Sequence, residues 1–301
     1  MRVFLTGATG FIGSRIVPEL LAAGHQVIGM TRSDAGAQAL SAAGVQAHRG
    51  TLEDLGSLRA GAEKADAVIH TAFDHDFSHF VANCEKDKRV IEALGGVLRG
   101  SARPLIITSG TGMGDAHRGQ PATEAVFDVN NPNPRVLSEI TGAALLEQGV
   151  DVRVVRLPQV HDTFKQGLVT PLIDIFRAKG KAAYVNEGTH SWPAAHVLDV
   201  AKLYALVLDN GQAGKRYNAV AEEGITAREI AEVVGAGLGV PVVSVNSEQV
   251  PEFFGWMALF AGLDLRASSA WTRQALDWRP TGPGLIEDLK RMDYSSTSPG
   301  E

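Results

Sequence analysis

The chain contains a single cysteine, Cys84, among its 301 residues. One cysteine excludes an internal disulfide, and no cysteine pair has the spacing of a zinc site. A chain without disulfides fits a reducing compartment, so we predict a cytoplasmic protein with no metal centre. At this length the chain can bury a full hydrophobic core without covalent staples.

Positive charge is not in excess, because 28 Lys+Arg residues stand against 34 Asp+Glu, a net charge of -6. Binding along a phosphate backbone requires a basic surface, so we expect no nucleic-acid partner. Apolar runs of membrane length are also absent. The longest candidate, residues 253–263 (FFGWMALFAGL), is interrupted by glycines and stops at Asp264, so we interpret it as a buried or lid helix and expect no membrane partner.

The sequence does contain a regular alternation of short apolar runs with helical patterns. Six runs predict β-strands, at residues 3–5, 26–30, 45–48, 67–72, 104–108 and 152–157. Such alternation is typical of an α/β fold in which a doubly wound parallel sheet has helices on both faces. After residue 157 the alternation becomes looser.

A glycine-rich turn follows the first predicted strand. The sequence TGATGFIG places Gly7, Gly10 and Gly13 between that strand and a helix. Glycines there permit a tight turn and let the helix N-terminus approach a pyrophosphate. We therefore predict a Rossmann-type dinucleotide-binding core over residues 1–157. A smaller C-terminal substrate-binding lobe, partly interleaved with the core, is expected over residues 158–301.

The GxxGxxG spacing of this turn resembles that of the short-chain dehydrogenase/reductase superfamily, and TGATGFIG resembles its extended, epimerase/dehydratase-like branch. Four further stretches resemble the same branch: HTAF (70–73), IITSG (106–110), RLPQVHD (156–162) and SWPAAHVLDVAKLY (191–204). The resemblance covers roughly residues 1 to 290 and implies a nicotinamide cofactor. It implies cofactor contacts from Gly7, Thr9, Gly10, Phe11, Ile12, Gly13, Leu52, Thr71, Ala72, Phe73, Thr108 and Pro158.

The end of the second predicted strand bears on the choice between NAD and NADP. The sequence MTRSD has Arg32 and Ser33 there, with no acidic residue before Asp34. An acidic residue would accept hydrogen bonds from the ribose hydroxyls, whereas an arginine can bind two oxygens of a 2′-phosphate. The sequence therefore favours NADP(H) over NAD(H), with Arg32 and Ser33 as further cofactor contacts.

The tyrosine and lysine that usually act in this superfamily are absent. The resemblance implies Ser109 as the catalytic serine and a Tyr and Lys four residues apart on one helix face. At those places, 26 and 30 residues after Ser109, the chain has Arg135 and Glu139. No YxxxK sequence occurs anywhere in the chain. The sequence thus resembles atypical members that keep the cofactor fold but have a rearranged active site.

Two interpretations of the pair remain open. Arg135 could hold or polarise a substrate oxygen while Glu139 accepts hydrogen bonds from the nicotinamide ribose. Alternatively, the two residues form a surface ion pair worth about 0.3–0.5 kcal/mol. An arginine is a poor proton donor, so a proton would come from Ser109, from water or from a titratable group. His75, next to Asp74 and Asp76, and His161 are the candidates for that group.

We therefore predict an NADPH-dependent oxidoreductase that transfers hydride to or from a small carbonyl or alcohol. Apolar side chains that could line a substrate pocket occur at Phe73, at Phe164 and in the 253–263 segment. They favour an apolar or mixed substrate. A nucleotide-sugar epimerase or dehydratase is one alternative, although the second half has no cluster of Arg or Lys for a diphosphate. A non-catalytic NADP(H)-binding sensor is the other, and loss of Tyr and Lys would fit it. We expect a monomer or a homodimer.

Overall fold

The computed structural model describes residues 1–115 and 119–295 of the chain. The end of the predicted C-terminal lobe, residues 296–301, lies outside the described part. The strands of the described residues are β1 (Arg2–Thr6), β2 (Gln26–Thr31), β3 (Gln46–Arg49), β4 (Ala67–His70), β5 (Pro104–Gly110), β6 (Asp151–Leu157), β7 (Gln159–His161), β8 (Ala182–Val185), β9 (Ser191–His196), β10 (Arg216–Asn218), β11 (Glu222–Thr226) and β12 (Val242–Val245).

The α-helices of the same residues are α1 (Gly13–Ala22), α2 (Asp34–Ala42), α3 (Leu55–Glu63), α4 (Phe80–Leu98), α5 (Val136–Glu147), α6 (Val169–Lys179), α7 (Val197–Asn210), α8 (Ala227–Leu238), α9 (Val250–Phe254), α10 (Ala258–Ala261), α11 (Ala270–Leu276) and α12 (Leu285–Arg291). Short 3-10 turns occur at Phe77–His79, Thr111–Gly114 and Gly255–Met257. Within the described ranges, none of the helices combines the length and apolar character needed to cross a membrane.

Seven strands form one parallel sheet in the order β10-β6-β5-β4-β1-β2-β3. The six strands predicted from the apolar runs are all present, which confirms the doubly wound α/β fold. The seventh strand, β10, comes from beyond residue 157 and pairs with β6. The chain runs outward from β1 to β3 and then returns to β4 on the other side of β1. Ligands of open α/β sheets bind at such a reversal, beyond the carboxyl ends of the strands.

Side chains alternate across this sheet, as parallel strands with both faces covered require. On β1, Val3 and Leu5 belong to a cluster shared with α1 and α7, whereas Phe4 belongs to a cluster shared with α3 and α4. Full burial of a side chain such as Leu or Phe stabilises the fold by about 1.5–3 kcal/mol. Burial on both faces therefore fixes the strand register and, with it, the residues at the carboxyl edge.

A separate cluster of buried residues lies in the second half and includes Phe176, Trp192, Phe253 and Phe254. It packs α6, α8, α9 and α12 against the small pair β12-β8 and against β9. The segment expected to form one buried or lid helix is instead divided into α9, a 3-10 turn and α10. Gly255 causes the break, because its backbone has φ 55° and ψ -128°, a conformation that glycine adopts readily and that cannot continue a helix.

Candidate active site

The predicted site residues lie at one edge of the main sheet. The glycine-rich turn follows β1, Arg32 and Ser33 follow β2, Leu52 follows β3, Thr71 to Phe73 follow β4, Thr108 and Ser109 lie near the end of β5, and Pro158 follows β6. The carboxyl ends of parallel strands meet at the same edge of a sheet, so the fold brings these residues together. Leu52 and Pro158 are both partly buried there.

The glycine-rich turn fits a dinucleotide pyrophosphate. Gly7 has a φ of 71°, and a Cβ there would lie 2.8 Å from Thr71 Oγ1 and 2.9 Å from the Ala72 nitrogen. At Gly13 a Cβ would lie 2.0 Å from the Gly7 carbonyl oxygen. No side chain caps α1 at Ile12, so the helix N-terminus stays open to an anion. Thr9 and Gly10 are exposed at the turn, while Phe11 is partly buried.

Two arginines lie at the carboxyl ends of the neighbouring strands β2 and β3. Arg32 is exposed directly after β2. Arg49, the last residue of β3, donates from Nη2 to the Arg32 carbonyl oxygen at 2.8 Å and lies 3.0 Å from Asp34. Ser33 caps α2 by accepting a hydrogen bond from the Gly36 nitrogen. Asp34 is thus paired with an arginine, and the loop presents positive charge next to the expected adenosine ribose.

Arg135 lies at the start of α5, held in a buried cluster that contains a carboxylate. Its Nη1 donates to Asp87 Oδ2 at 2.6 Å and to Ser138 Oγ at 2.9 Å, and its Nη2 donates to the Thr108 carbonyl oxygen at 2.9 Å. The guanidinium carbon lies 4.0 Å from the centre of the Phe73 ring. These three hydrogen bonds leave two of the five guanidinium N–H groups without a partner among the described residues.

The same carboxylate connects Arg135 to the glycine-rich turn. Asp87 Oδ1 lies 2.9 Å from His70 Nε2, and His70 Nδ1 lies 2.7 Å from Thr6 Oγ1. A carboxylate can only accept, so Nε2 of His70 donates to Asp87. Thr6 Oγ1 in turn accepts from the Ala72 nitrogen at 3.3 Å. We name the residues Thr6, His70, Asp87, Arg135 and Ser138 the Arg135 cluster.

Asp87 stays ionised in this cluster. Burial by itself would raise the pKa of Asp87, but the Arg135 charge and the hydrogen bonds from His70 and Ser138 outweigh it and lower this pKa to about 2. A buried carboxylate that faces a guanidinium keeps both groups charged. Arg135 is therefore a fixed, ionised group at the carboxyl end of β5.

Ser109, next to Thr108 on β5, is buried, and its hydroxyl has no hydrogen-bond partner among the described residues. Thr108 Oγ1 donates to the His70 carbonyl oxygen at 2.8 Å and lies 2.6 Å from the hydroxyl of Tyr204 on α7. Burial raises the pKa of Tyr204 well above its usual range. That tyrosine is fully buried, so it supports Thr108 from behind the sheet and offers no proton to the site.

Glu139, one helical turn after Arg135, lies in a different cluster. Its two oxygens accept from Arg156 Nε and Nη2, both at 2.8 Å, and from Arg216 Nε at 2.7 Å. Arg156 also donates to the carbonyl oxygens of Thr123 and Val126. Burial opposes ionisation of Glu139, but the two arginines lower the pKa of its carboxyl group. We name the residues Glu139, Arg156 and Arg216 the Glu139 cluster.

The predicted surface ion pair between Arg135 and Glu139 is therefore wrong. Both side chains are largely buried, and each pairs with an opposite charge on another element, Asp87 on α4 and Arg156 on β6. The predicted role of Glu139 at the nicotinamide ribose has no open carboxylate oxygen to support it. The helix begins at Val136, and Asn133 Oδ1 accepts a hydrogen bond from the Arg135 nitrogen just before it.

The two candidate histidines have different surroundings. His75 is exposed in the segment after β4, with ring centroids 5.4 Å from Phe73 and 6.2 Å from Phe77. The acids expected to orient it also contact other groups, since Asp74 accepts from Lys86 and Asp76 accepts from Ser78. A catalytic role for His75 stays a prediction.

His161 is fully buried under the second half, where its Nδ1 lies 2.7 Å from Asp288 on α12. Burial lowers the pKa of His161 below its ordinary value, against the opposing effect of Asp288. This contact joins β7 to α12 and gives His161 a structural partner. Within the described ranges, no group of three or more His, Cys, Asp or Glu side chains could hold a metal ion.

A row of aromatic rings extends from Arg135 to Trp256. Phe73 lies 6.3 Å from Phe80, Phe80 lies 5.5 Å from Phe77, and Phe77 stacks on Trp256 at 4.9 Å with an interplanar angle of 11°. Phe260 contacts both Phe77 and Trp256. We name these five residues the aromatic clasp. Phe164, also predicted as apolar wall, is 81% exposed and lies outside it.

Sequence reasoning found Arg135 but missed His70, Asp87, Ser138 and Arg156. His70 and Arg156 had a detectable signal, because each is a polar residue within an apolar strand and so requires a buried partner. Asp87 lies in the charged run EKDKR, but its spacing of three residues from Cys84 and four from Ile91 places it on the buried face of α4.

Several known proteins are similar to this chain in sequence or in fold. A family model described as "NAD dependent epimerase/dehydratase family" matches residues 3–220. An uncharacterised protein of Schizosaccharomyces pombe is 47% identical over 98% of this chain and 100% of its own. A 4-hydroxy-2-methyl-3-oxo-4-farnesyl-3,4-dihydroquinoline-1-oxide ketoreductase of Stigmatella aurantiaca is 25% identical, covering 72% of this chain and 67% of its own. The solved UDP-glucose 4-epimerase of Thermus thermophilus, in complex with NAD, superimposes with a TM-score of 0.74 at 21% identity, covering 98% and 99% of the two chains.

Proposed function

The chain belongs to the NAD dependent epimerase/dehydratase family, and we propose that it is an NADPH-dependent oxidoreductase in which Arg135 replaces the family's catalytic tyrosine. Its substrate is a small carbonyl compound or the corresponding alcohol. The observation that carries this proposal is the fixed guanidinium of Arg135 at the carboxyl end of β5, with N–H groups still open. The single cysteine supports a cytoplasmic location.

The cofactor would be held by the glycine-rich turn at its pyrophosphate and by Arg32 at its 2′-phosphate. Arg49 adds a second positive charge beside Arg32, and it pairs with Asp34, which would otherwise repel a phosphate. NADPH, when bound, supplies a hydride, which together with one proton converts a carbonyl group into an alcohol. Thr71 and Ala72 pack closely against Gly7, and they would border the same cofactor.

Arg135 would stabilise the negative charge that develops on the substrate oxygen. A fixed donor in a water-poor site stabilises such charge strongly, because it needs no reorganisation as the reaction proceeds. Its bonds to Asp87, Ser138 and Thr108 fix the guanidinium in one orientation. The arginine keeps its own proton, so the proton that completes the alcohol comes from water, with the Ser109 hydroxyl as a further donor to the oxygen.

One observation favours a carbonyl substrate over a nucleotide sugar. The segment around the aromatic clasp carries the acids Asp74 and Asp76 rather than a basic cluster for a diphosphate. A sensor that binds NADPH without turnover would explain the missing tyrosine, but it would not require an open guanidinium at the catalytic place.

Calorimetric titration of NADPH and NADH, followed by NADPH oxidation with a panel of aldehydes, ketones and imines, tests the proposal. We expect NADPH to bind at least tenfold more tightly than NADH, and Arg32→Ala to remove most of that preference. Arg279→Ala, an exposed arginine paired with Asp277, is the matched control and should change neither affinity. Tight NADPH binding without oxidation by any member of the panel would favour the sensor and overturn the enzyme.

A further inference from the structure

We propose that the aromatic clasp binds the planar aromatic part of the substrate, so that the substrate class is a neutral aromatic ketone or aldehyde whose oxygen meets Arg135. This inference rests on the proposed oxidoreductase function and specifies its substrate. It predicts a ligand with a flat ring system at one end and a carbonyl oxygen at the other.

The clasp concentrates rings in a chain that is poor in them, since only 6% of the residues are aromatic. Phe73, Phe77 and Phe80 follow β4 on the cofactor side, whereas Trp256 and Phe260 come from the second half of the chain. The stacked pair of Phe77 and Trp256 joins the two segments. The two rings are already in contact, so a ligand ring would pack against the exposed outer surface of the stack.

The exposure of the clasp separates it from an ordinary core cluster. Trp256 is 42% exposed although it stacks on Phe77 and contacts Phe260, while Phe253 and Phe254 from the same segment are buried. A core cluster would bury its largest ring, because that ring has the most apolar surface to remove from water. The exposed indole is therefore available to a ligand.

The two ends of the clasp differ in polarity, which sets the orientation of the ligand. Phe73 contacts the Arg135 guanidinium at one end, and Trp256 lies at the solvent end. An oxygen with partial negative charge is attracted to the guanidinium, whereas planar rings stack on aromatic faces. Asp74 and Asp76 lie in the same segment as Phe73 and Phe77, and the pKa of each is lowered mainly by hydrogen bonds, from Lys86 and Ser78 respectively. These ionised acids disfavour an anionic ligand and favour a neutral one.

The test compares two ketones of similar size in the presence of saturating NADP+, which cannot donate a hydride, so that binding is measured without turnover. The probes are 2-acetylnaphthalene and its fully saturated analogue, 2-acetyldecalin, titrated by calorimetry. We expect the aromatic ketone to bind at least tenfold more tightly than the saturated one. Equal affinities, or no binding of the aromatic ketone, would overturn the proposal.

Variants locate the binding site. Trp256→Leu and Phe77→Leu keep an apolar side chain but remove the ring, and each should weaken 2-acetylnaphthalene binding about fivefold to tenfold with no change for 2-acetyldecalin. Trp271→Leu is the matched control, because Trp271 is similarly exposed at 38% but packs on Tyr217 elsewhere. If Trp271→Leu weakens binding as much as Trp256→Leu does, the clasp is not the site.

The outcomes also separate this inference from the function on which it rests. Tight binding of 2-acetylnaphthalene without NADPH oxidation by any carbonyl would retain the aromatic site and reject the oxidoreductase. NADPH oxidation with aliphatic carbonyls alone would retain the oxidoreductase and reject the aromatic substrate class.

Discussion

Two clusters of arginine and carboxylate lie one turn apart on α5, and they differ in how much of their hydrogen-bonding capacity the protein itself uses. Both carboxylate oxygens of Glu139 accept hydrogen bonds, from Arg156 and Arg216. Arg156 also donates hydrogen bonds to backbone carbonyl oxygens of the segment before α5. Arg135 is anchored by Asp87, yet it keeps N–H groups open beside Phe73.

This difference separates a cluster that holds the fold from one that can hold a ligand. A closed cluster gains nothing from a substrate, because every polar atom already has a partner. An anchored arginine with open donors has the arrangement that stabilises charge on an incoming oxygen. On the proposed function, the position of the usual tyrosine serves chemistry, whereas that of the usual lysine serves structure.

The largest loss of stability is expected in the Glu139 cluster. Glu139→Ala leaves the buried Arg156 without a carboxylate and should lower the free energy of unfolding by about 3–5 kcal/mol. Urea unfolding followed by circular dichroism measures this loss. Glu147→Ala, an exposed glutamate near the end of the same helix, is the control and should change stability by less than about 0.5 kcal/mol. A loss below 1 kcal/mol for Glu139→Ala would remove the distinction between the clusters.

A somewhat smaller loss of stability, together with a loss of carbonyl reduction, is expected in the Arg135 cluster. Asp87→Asn removes the charge that anchors Arg135, and Arg135 is slightly exposed, so we expect about 3 kcal/mol. Carbonyl reduction should also fall, because the guanidinium is no longer fixed, while the dissociation constant of NADPH stays within twofold. Urea unfolding and steady-state NADPH oxidation measure the two effects. Unchanged turnover in Asp87→Asn would show that the anchor does not matter.

The stability that ionised Asp87 contributes should depend on pH. Asp87 has a folded-state pKa of about 2, below the value of about 3.9 in an unfolded chain. Its stabilising contribution is complete above about pH 4 and is lost as the pH falls through 2, an amount of about 2 kcal/mol. The difference in unfolding free energy between wild type and Asp87→Asn should therefore shrink by that amount between pH 5 and pH 2. A constant difference would mean that folding does not lower the pKa of Asp87.

The smallest loss of stability is expected at Ser138, at the edge of the Arg135 cluster. Ser138→Ala removes a hydroxyl that donates to Asp87 and accepts from Arg135, which should cost about 1 kcal/mol because both charged partners keep each other. Thermal unfolding measures the change. A loss as large as that of Asp87→Asn would place Ser138, rather than the carboxylate, at the centre of the cluster.

The fold could be predicted from the sequence, whereas the partners of the site residues could not. Apolar runs and the glycine-rich turn are local patterns, and they predicted the first six strands and the carboxyl edge. Arg135 was found because it stands where a tyrosine is expected. Its partner Asp87 is 48 residues away on another helix. Helical spacing places that aspartate on the buried face of α4 but does not identify the residue with which it pairs. Long-range pairing depends on how α4 packs against α5, which periodicity does not encode.

The most direct test of the account compares Arg135→Lys with Glu139→Gln, using a carbonyl that the wild-type protein reduces. Lysine keeps the charge but loses the planar fork that Asp87, Ser138 and Thr108 hold. We predict that Arg135→Lys lowers kcat/KM at least 30-fold with NADPH affinity unchanged, and that Glu139→Gln lowers stability while the folded protein keeps its turnover. Full turnover in Arg135→Lys, with loss of turnover in folded Glu139→Gln, would contradict the account.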